Sequence, residues 1–370
     1  MLGLLRRPKV FSTVVVALLL VVIGIFGGAL GNALVKSGGF LGSPIAHIQL
    51  PAEAITSGPI LLGFTVTNTM IATWSAVVVL VVISLLGTRR LNEVPGRLQG
   101  FLEVVLTFFI DLAVNVAGPS NGRRFFPLVM TIFLFVVVAN WMGVLPGFGT
   151  IGRFETAEEI IHHVHEQEEC EFSGDHTDGG HKECNYDLSK VNMQVFNGLE
   201  GPAFVGFGSI DDVITAEQYE NGVKDLENKG KRVGRLVPFF RSANTDLNTT
   251  LAIAIVAMIT VHWWGLRILG VFGHVGKYLN FRQGPIGLFV GVLEAISEVA
   301  RVISFTFRLF GNIFAGEVLL IAMAFLVPLV GLVPFLGLEL FVGLIQAFIF
   351  SMLTLVFASM ATVGHDEEDH

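Results

Sequence analysis

The segment with the most unusual chemistry runs from Leu293 to Glu317, where ionisable side chains interrupt an otherwise apolar, helix-forming run. An arginine near the middle of a bilayer costs about 2.5–3.5 kcal/mol on insertion scales, so such residues normally face a protein interior or water. The pattern therefore predicts a functional, water-accessible site within a membrane helix. Its ionisable residues are Glu294, Glu298, Arg301, Arg308 and Glu317.

Helical periodicity predicts one polar stripe along this segment. At about 100° per residue, the members of the stripe fall within roughly 80° of one another. Glu317 falls on another side, where it can meet a second long apolar segment carrying Glu339 and Gln346. We therefore expect the two helices to share a polar seam. The stripe consists of Glu294, Glu298, Arg301, Arg308 and Asn312.

Arginine and carboxylate side chains differ in how they handle protons. A guanidinium stays charged at physiological pH, whereas a carboxylate in a wet cavity can take up and release a proton. Arg308 can therefore attract a passing carboxylate, promote release of its proton and block a direct leak. This division suits proton transfer across a membrane. For Glu298 and Arg301, a purely structural ion pair near the helix end is the alternative.

Composition places the chain in a bilayer. Hydrophobic residues make up 52% and charged residues 15% of the 370 residues, and the mean hydropathy is +0.69. A hydrocarbon core of about 30 Å needs about 20 apolar residues in a helix. We predict an all-α membrane protein, a transmembrane helix bundle whose last two spans form a long tilted helical hairpin. The predicted spans are 10–34, 60–86, 125–148, 247–271, 286–328 and 332–363.

Residues 95–118 form a segment of another kind, in which polar residues recur every fourth position among Leu, Val and Phe. We predict an amphipathic helix that lies along the membrane surface or against the bundle. The resulting organisation is an N-terminal extra helix and outer segment (1–58), a first transmembrane part (59–148), an acidic polar insertion (149–245), a channel-forming part (246–363, with the hairpin at 286–363) and an acidic tail (364–370).

Charge is distributed unevenly along the chain. Of the 31 Asp and Glu residues, 18 lie between Ile151 and Arg241, whereas Lys and Arg lie mostly at the ends of apolar runs. If the spans alternate, these short basic flanks are all cytoplasmic, which places the insertion outside and the C-terminal tail inside. We expect the N-terminal apolar segment to be a retained helix, with a signal peptide as the alternative. Nothing in this charge pattern indicates nucleic-acid binding.

Two segments of the chain are distinctive, FRLFGNIFAGE at 307–317 and IQAFIFSMLTLVFASMA at 345–361. Four more accompany them: TNTMIATW at 67–74, PGRLQGFLE at 95–103, FPLVMTIFLFVVVANWMGVLPG at 126–147 and SANTDLNTTLAIA at 242–254. Together, and in family order, these six segments resemble subunit a of F-type ATP synthases across roughly two thirds of the chain. The N-terminal apolar helix and the segment from about Gly149 to Arg241 fall outside this resemblance.

The resemblance implies a role for each matching position. Arg308 corresponds to the essential arginine that faces the proton-carrying carboxylate of the c-ring, with Asn312 and Gln346 as polar neighbours. Glu317 and Glu339 occupy two exchanging channel positions, where members often have one His and one carboxylate, so this channel is more acidic. The remaining matches are Asn140, Asp246 and Asn248 in the outer half-channel and Glu294 and Ser304 in the inner half-channel.

The same resemblance implies partners and a location: the c-ring, the peripheral-stalk b subunits, protons as the transported ion and the lipid bilayer, in a prokaryotic plasma membrane. No cofactor and no metal are expected. Two alternatives remain from the residues alone. A secondary proton or cation transporter should show inverted repeats, which we do not see. A membrane scaffold presenting the insertion would leave the Arg308 stripe unexplained.

The insertion itself contains side chains that could bind a metal, although they show no familiar zinc spacing. Its cysteines, Cys170 and Cys184, could form a disulfide in an oxidising compartment. We favour a solvated acidic domain, or a surface for another subunit. The potential ligands are His162, His163, His165, Cys170, His176, His181 and Cys184.

Overall fold

The computed structural model of the chain describes residues 16, 19, 21–23, 52–55, 65–89, 93–145, 151–167, 188, 191–197, 203–204, 210–220, 231–278, 284–327 and 331–362. Most of the predicted N-terminal helix, both cysteines and the acidic tail lie outside these residues. The elements are α1 (Asn68–Thr88), α2 (Arg97–Val144), β1 (Ile151–Thr156), α3 (Ala157–Gln167), β2 (Asn192–Asn197), β3 (Ala203–Phe204), β4 (Ile210–Thr215), α4 (Ala216–Glu220), β5 (Lys231–Pro238), α5 (Leu247–Tyr278), α6 (Gly284–Leu326) and α7 (Leu332–Thr362).

Within the described residues, five helices are long and apolar enough to cross a membrane. They are α1, α2, α5, α6 and α7. The predicted all-α membrane bundle is confirmed. Most of these helices belong to one compact unit, and a second unit includes the small sheet with α3 and α4 together with the end of α6 and the start of α7, within residues 318–336.

Helix α1 begins eight residues later than the predicted span at 60–86. Thr67 is extended and forms an antiparallel bridge with Ala54, and the Ile55 N–H donates to the Val66 carbonyl at 2.9 Å. The polar sequence Thr67-Asn68-Thr69 suits this arrangement because its side chains find partners at a helix start. The prediction overlooked this signal by following hydropathy alone.

Helix α2 folds back on itself at Gly118, whose backbone has φ 77° and ψ 168°. This conformation is essentially restricted to glycine. After the reversal, the rings of Phe109 and Phe133 pack with centroids 4.3 Å apart. The break agrees with a separate amphipathic helix ending at 118, and its polar residues Glu103 and Asp111 are exposed. Its position along the membrane surface stays a prediction.

The helices pack around one apolar core to which α2, α5, α6 and α7 all contribute. Between α6 and α7, the Phe305 ring lies 4.8 Å from that of Phe350 and 5.4 Å from that of Phe357. Helix α6 has 43 residues, which corresponds to about 64 Å of helix. Because this is about twice the thickness of a hydrocarbon core, α6 must tilt or extend beyond it.

Helix α5 continues past its predicted end at residue 271 to Tyr278. Gly270, at φ 73° and ψ 168°, reverses the chain direction within it. The segment after Gly270 then packs against the segment before it, so that His274 reaches His262. An apolar pattern could not reveal this turn, because both segments are apolar and a single glycine is common in membrane helices.

The insertion contains a five-stranded antiparallel sheet of order β3-β1-β5-β2-β4, for which the sequence analysis made no prediction. Met193, Val195 and Val233 form its core together with Tyr219 from α4. Across β1 and β5, Glu155 pairs with Arg235 at 2.5 Å. The insertion is therefore a folded unit with its own core, as well as an acidic segment.

Two helices of this unit begin with the same device. The Thr156 hydroxyl accepts from the Glu159 N–H at 3.3 Å, while the Glu159 carboxylate accepts from the Thr156 N–H at 3.2 Å. Thr215 and Gln218 repeat the arrangement at 3.3 and 3.0 Å. These are capping boxes, and the recurring Thr-Ala-Glu sequence at 156–158 and 215–217 was a sequence signal for them.

Candidate functional site

Arg308 lies on the outer face of α6, where its side chain is exposed. Its Nη2 lies 3.5 Å from the Ser304 hydroxyl, one turn earlier. In the part of the chain that the structure describes, no carboxylate lies within ion-pair distance of Arg308. Asn312 is exposed one turn later, and Gln346 of α7 is half-buried. The arginine therefore presents its charge outward, beside the exposed apolar side chains of Ile303 and Phe307.

Glu317 faces a different partner. Both of its carboxylate oxygens accept from Nε of Arg241, each at 3.2 Å. The Arg241 side chain is 7% exposed and that of Glu317 is 30% exposed. The Arg241 guanidinium also lies 6.0 Å from the Phe314 ring centroid. A buried guanidinium in contact with both oxygens holds the carboxylate in one orientation.

Glu339 is buried on α7 and lies directly against the backbone of α6 at Gly316. A Cβ atom at Gly316 would overlap the Glu339 carboxylate. Because Gly316 immediately precedes Glu317, the two carboxylates belong to neighbouring positions of the helix interface. The predicted polar seam between the two helices is present at this point.

Asn140 of α2 lies beside this seam. Its amide donates to the Gly343 carbonyl of α7 at 3.0 Å and its side-chain oxygen accepts from Asn244 at 2.7 Å. Asn140 and Asn244 are both buried. Next to them, the Trp141 indole N–H donates to the Leu340 carbonyl at 2.9 Å. These bonds hold α7 against α2 within the turn of α7 that follows Glu339.

Asp246 has a clear structural task at the start of α5. Its carboxylate accepts from the Asn248 N–H at 3.0 Å and from the Thr69 hydroxyl of α1 at 3.3 Å. Thus Asp246 caps α5 and links it to α1. The side chain of Asn248 is exposed. Asn140, Arg241, Asp246, Glu317 and Glu339, with Asn244, are named the outer cluster from here on.

A second group of ionisable side chains joins α5 to α6. Arg301 Nη1 donates to Glu298 Oε1 at 2.5 Å, and Glu298 Oε2 lies 3.6 Å from His262 Nε2. His262 Nδ1 lies 3.2 Å from His274 Nε2. His262, His274, Glu298 and Arg301 are named the histidine cluster. Glu294, one turn from Glu298, is half-buried.

Comparison with known proteins identifies the relationship. Residues 70–168 and 193–359, more than two thirds of the chain, match the family described as ATP synthase A chain. The chain belongs to this family. Within the insertion, only 169–192 interrupts the match, so the family relationship extends further than the predicted gap at about 149–241. The predicted resemblance to subunit a is confirmed.

Individual members of the ATP synthase A chain family agree with this match. An ATP synthase subunit a from Gloeobacter violaceus is 29% identical over 300 residues, covering 81% of this chain and 85% of the relative. The corresponding protein from Geotalea daltonii is 25% identical over 301 residues, covering 80% and 87%. That from Moorella thermoacetica is 24% identical over 321 residues, covering 87% and 100%.

The polar stripe that was predicted along α6 is split in the structure into two groups with different surroundings. Arg308 and Asn312 are exposed with Ser304, whereas Glu298 and Arg301 pair with each other and approach His262. The ion pair that was considered as the alternative for Glu298 and Arg301 is therefore present. In the described residues, no group of three or more His, Cys, Asp and Glu side chains is arranged to hold a metal ion. The insertion's Cys170, His176, His181 and Cys184 lie outside them.

Three residues near the predicted site were not identified from sequence. Arg241 stands directly before the SANTDLN segment and was treated only as the end of the insertion. His262 and His274 are ionisable residues within an apolar run, which is the signal that singled out Arg308. Applied to α5 as it was to α6, this signal would have found both histidines.

Proposed function

We propose that the chain is the proton-translocating stator subunit of a rotary F-type ATP synthase, which provides two aqueous half-channels to a carboxylate on each helix of a c-ring. As a member of the A chain family, it belongs to an ATP synthase complex. It is a multi-pass membrane protein with bacterial relatives, and the plasma membrane is its proposed location. The peripheral-stalk b subunits are its proposed second set of partners.

The exposed position of Arg308 carries this proposal. A cation on the apolar outer face of a membrane bundle is costly unless a partner supplies an opposite charge or water. A ring of helices that each carry a carboxylate meets this need and covers the neighbouring apolar side chains. Because the guanidinium remains protonated, it favours the ionised form of the ring carboxylate. The ring carboxyl group therefore loses its proton before it passes Arg308.

The outer cluster is proposed as the outer half-channel. Glu317 and Glu339 occupy neighbouring positions at the interface of α6 and α7, and Asn140 lies beside them with its amide nitrogen and its oxygen each in one hydrogen bond. Carboxylates at these positions can accept protons from water and donate them toward the ring. Arg241 keeps Glu317 oriented, while Asp246 and Asn248 hold the start of α5.

The inner half-channel is proposed along α6, past Ser304 toward Glu294. Ser304 already contacts Arg308, and Glu294 lies further along the same helix. A proton released by the ring opposite Arg308 can leave by this route. Each proton that crosses 100 mV supplies about 2.3 kcal/mol, so several protons must pass for each ATP formed elsewhere in the complex. The family relationship does not favour the alternative of a secondary proton or cation transporter.

ATP-driven acidification of inverted membrane vesicles that hold the whole complex tests the role of Arg308. Arg308→Ala should abolish acidification at matched assembly, because nothing then discharges the ring carboxylate. Arg267→Ala is the matched control, since Arg267 is also exposed and lies 4.9 Å over the Trp263 ring. Undiminished acidification by an assembled Arg308→Ala complex would overturn the proposal. Acidification without added sodium would identify the proton as the coupling ion.

Disulfide cross-linking tests which face the c-ring covers. A cysteine at Phe307, which is 57% exposed, should cross-link to a cysteine placed beside the ring carboxylate. A cysteine at Val78 of α1, which is 60% exposed, is the control and should not cross-link. Equal cross-linking from both positions would show that exposure of Arg308 does not mark the ring interface.

A further inference from the structure

The histidine cluster is a set of neighbouring ionisable side chains that the family resemblance leaves without a role. His262, His274 and Glu298 lie within membrane-spanning helices, where ionisable residues are costly and are usually retained for function. Arg308 contacts Ser304, and Arg301 of the cluster lies one turn before Ser304 on the same helix. It ends at His274, which is 5% exposed and four residues from the end of α5.

The orientation of each side chain is suited to passing a proton. Arg301 holds Oε1 of Glu298 at 2.5 Å, which leaves Oε2 directed toward Nε2 of His262 at 3.6 Å. His262 faces Glu298 with one ring nitrogen and His274 with the other, at 3.2 Å. An imidazole can accept a proton at one nitrogen and donate from the other.

The surrounding charges support this path. Arg301 also lies 4.7 Å over the Phe357 ring of α7, which fixes its guanidinium while it holds Glu298. Among the described residues, the charged and ionisable side chains near this end of the bundle are Arg123 and Arg124 on α2, His262, Arg267 and His274 on α5, and Glu294, Glu298 and Arg301 on α6. Arg267 lies over Trp263. Arg301 is thus the cation that orients the carboxylate of the path.

We propose that His262, His274 and Glu298 form a proton relay from the face of Arg308 toward the end of α5, with Arg301 as its positioning residue. The inference rests on the proposed function, because the proton it carries is the one released by the ring carboxylate opposite Arg308. By the predicted topology, the relay ends on the cytoplasmic side, near Lys277.

Each step of the relay transfers one proton between two neighbouring groups. A proton on the Glu298 carboxyl group breaks its O–H bond and forms an N–H bond at Nε2 of His262. The Nδ1–H bond of His262 then breaks as an N–H bond forms at Nε2 of His274. Because Nδ1 of His274 is buried in the structure, the His274 ring must turn before its Nδ1–H bond breaks and the proton passes to water. Rotation of both rings restores the starting tautomers. This path would act beside Glu294 as part of the inner half-channel.

Two variants at one position separate a relay from a structural contact. His262→Gln keeps a hydrogen-bonding side chain of similar reach but cannot carry a proton, and His262→Ala opens space for a small molecule. Both should reduce ATP-driven acidification by the assembled complex about tenfold or more. Added imidazole should restore acidification in His262→Ala but not in His262→Gln, and the pH profile of both variants should differ from that of the unaltered complex.

The opposite pattern would overturn the relay. Full acidification by His262→Gln, or loss in His262→Ala that imidazole does not restore, would show that the cluster only joins α5 to α6. Arg267→Ala is the control that retains activity. Arg308→Ala separates the two proposals: normal pumping by Arg308→Ala would contradict the proposed function itself. Loss in Arg308→Ala together with normal pumping in His262→Gln would contradict the relay alone.

Discussion

The Nε atom of Arg241 lies 3.2 Å from each carboxylate oxygen of Glu317, and the Arg241 side chain is almost entirely buried. The two residues are 76 positions apart in sequence. A buried cation that loses its carboxylate is left uncompensated in a low-dielectric environment. The pair therefore connects the chain just before α5 to the proposed outer half-channel.

Arg241→Gln or Glu317→Gln alone should destabilise the subunit by about 1–3 kcal/mol, because each breaks a hydrogen-bonded ion pair whose arginine side chain is buried. The double variant should recover much of this loss. The measurement is the temperature at which the subunit dissociates from the purified complex. The matched control is Arg153→Gln, whose pair with Glu159 is 30% and 40% exposed and should contribute less than about 1 kcal/mol. Losses in the two single variants that simply add in the double variant would contradict the coupling.

Gly316→Ala should impair proton pumping because its methyl group overlaps the Glu339 carboxylate. Either Glu339 or the α6 backbone must then move, and displacing a proton-transferring group by about 1 Å can lower a rate about 100-fold. Vesicle acidification at matched assembly measures this effect. Gly337→Ala is the control: Gly337 lies two residues before Glu339, is exposed, and its added Cβ meets nothing within 4 Å, so this variant should pump normally. Normal pumping by Gly316→Ala would show that the position of Glu339 is not critical.

Gly270→Ala should destabilise α5 by about 1–3 kcal/mol, because alanine is strained at φ 73° and ψ 168°. No heavy atom lies within 4 Å of the added Cβ, so the cost is conformational. Gly276→Ala also meets nothing within 4 Å but needs no positive φ, and it should cost far less. Hydrogen exchange of the 263–278 segment compares the two variants. Equal protection would contradict a requirement for glycine at the reversal.

Asn140→Ala should cost about 1–3 kcal/mol because it removes the bond to the Gly343 carbonyl and takes from the buried Asn244 amide the oxygen to which it donates. Asn244→Ala should cost a similar amount. A double-mutant cycle on the thermal stability of the complex should show that the two losses are not additive, since both variants remove the 2.7 Å bond. Additive losses would indicate that the two amides act independently.

Much of the membrane part was predictable from local pattern. Hydropathy located the α6–α7 hairpin within two residues at each end, because Pro328, Gly331 and Pro334 interrupt an otherwise continuous apolar run. Hydropathy was less successful at α1, where the polar sequence at 67–69 and its hydrogen bonding to Glu53, Ala54 and Ile55 determine the start. The sheet of the insertion escaped prediction because 149–245 was treated as one acidic polar segment and was not tested for the alternation that marks strands.

By itself, the sequence determined that this chain is a membrane helix bundle of the ATP synthase A chain family with a charged site on α6. Composition, the length of apolar runs and the residues around Arg308 are local properties, so short stretches of the sequence are enough to determine them. Which charges meet between different elements was decided only by the tertiary structure. Periodicity joined Arg308 to Glu298, whereas the fold brings Glu298 to His262 and Glu317 to Arg241. The contact of Glu298 with His262 depends on the packing of α5 against α6, and the contact of His262 with His274 depends on the reversal at Gly270. The angle and register of helix packing cannot be derived from the periodicity of a single helix.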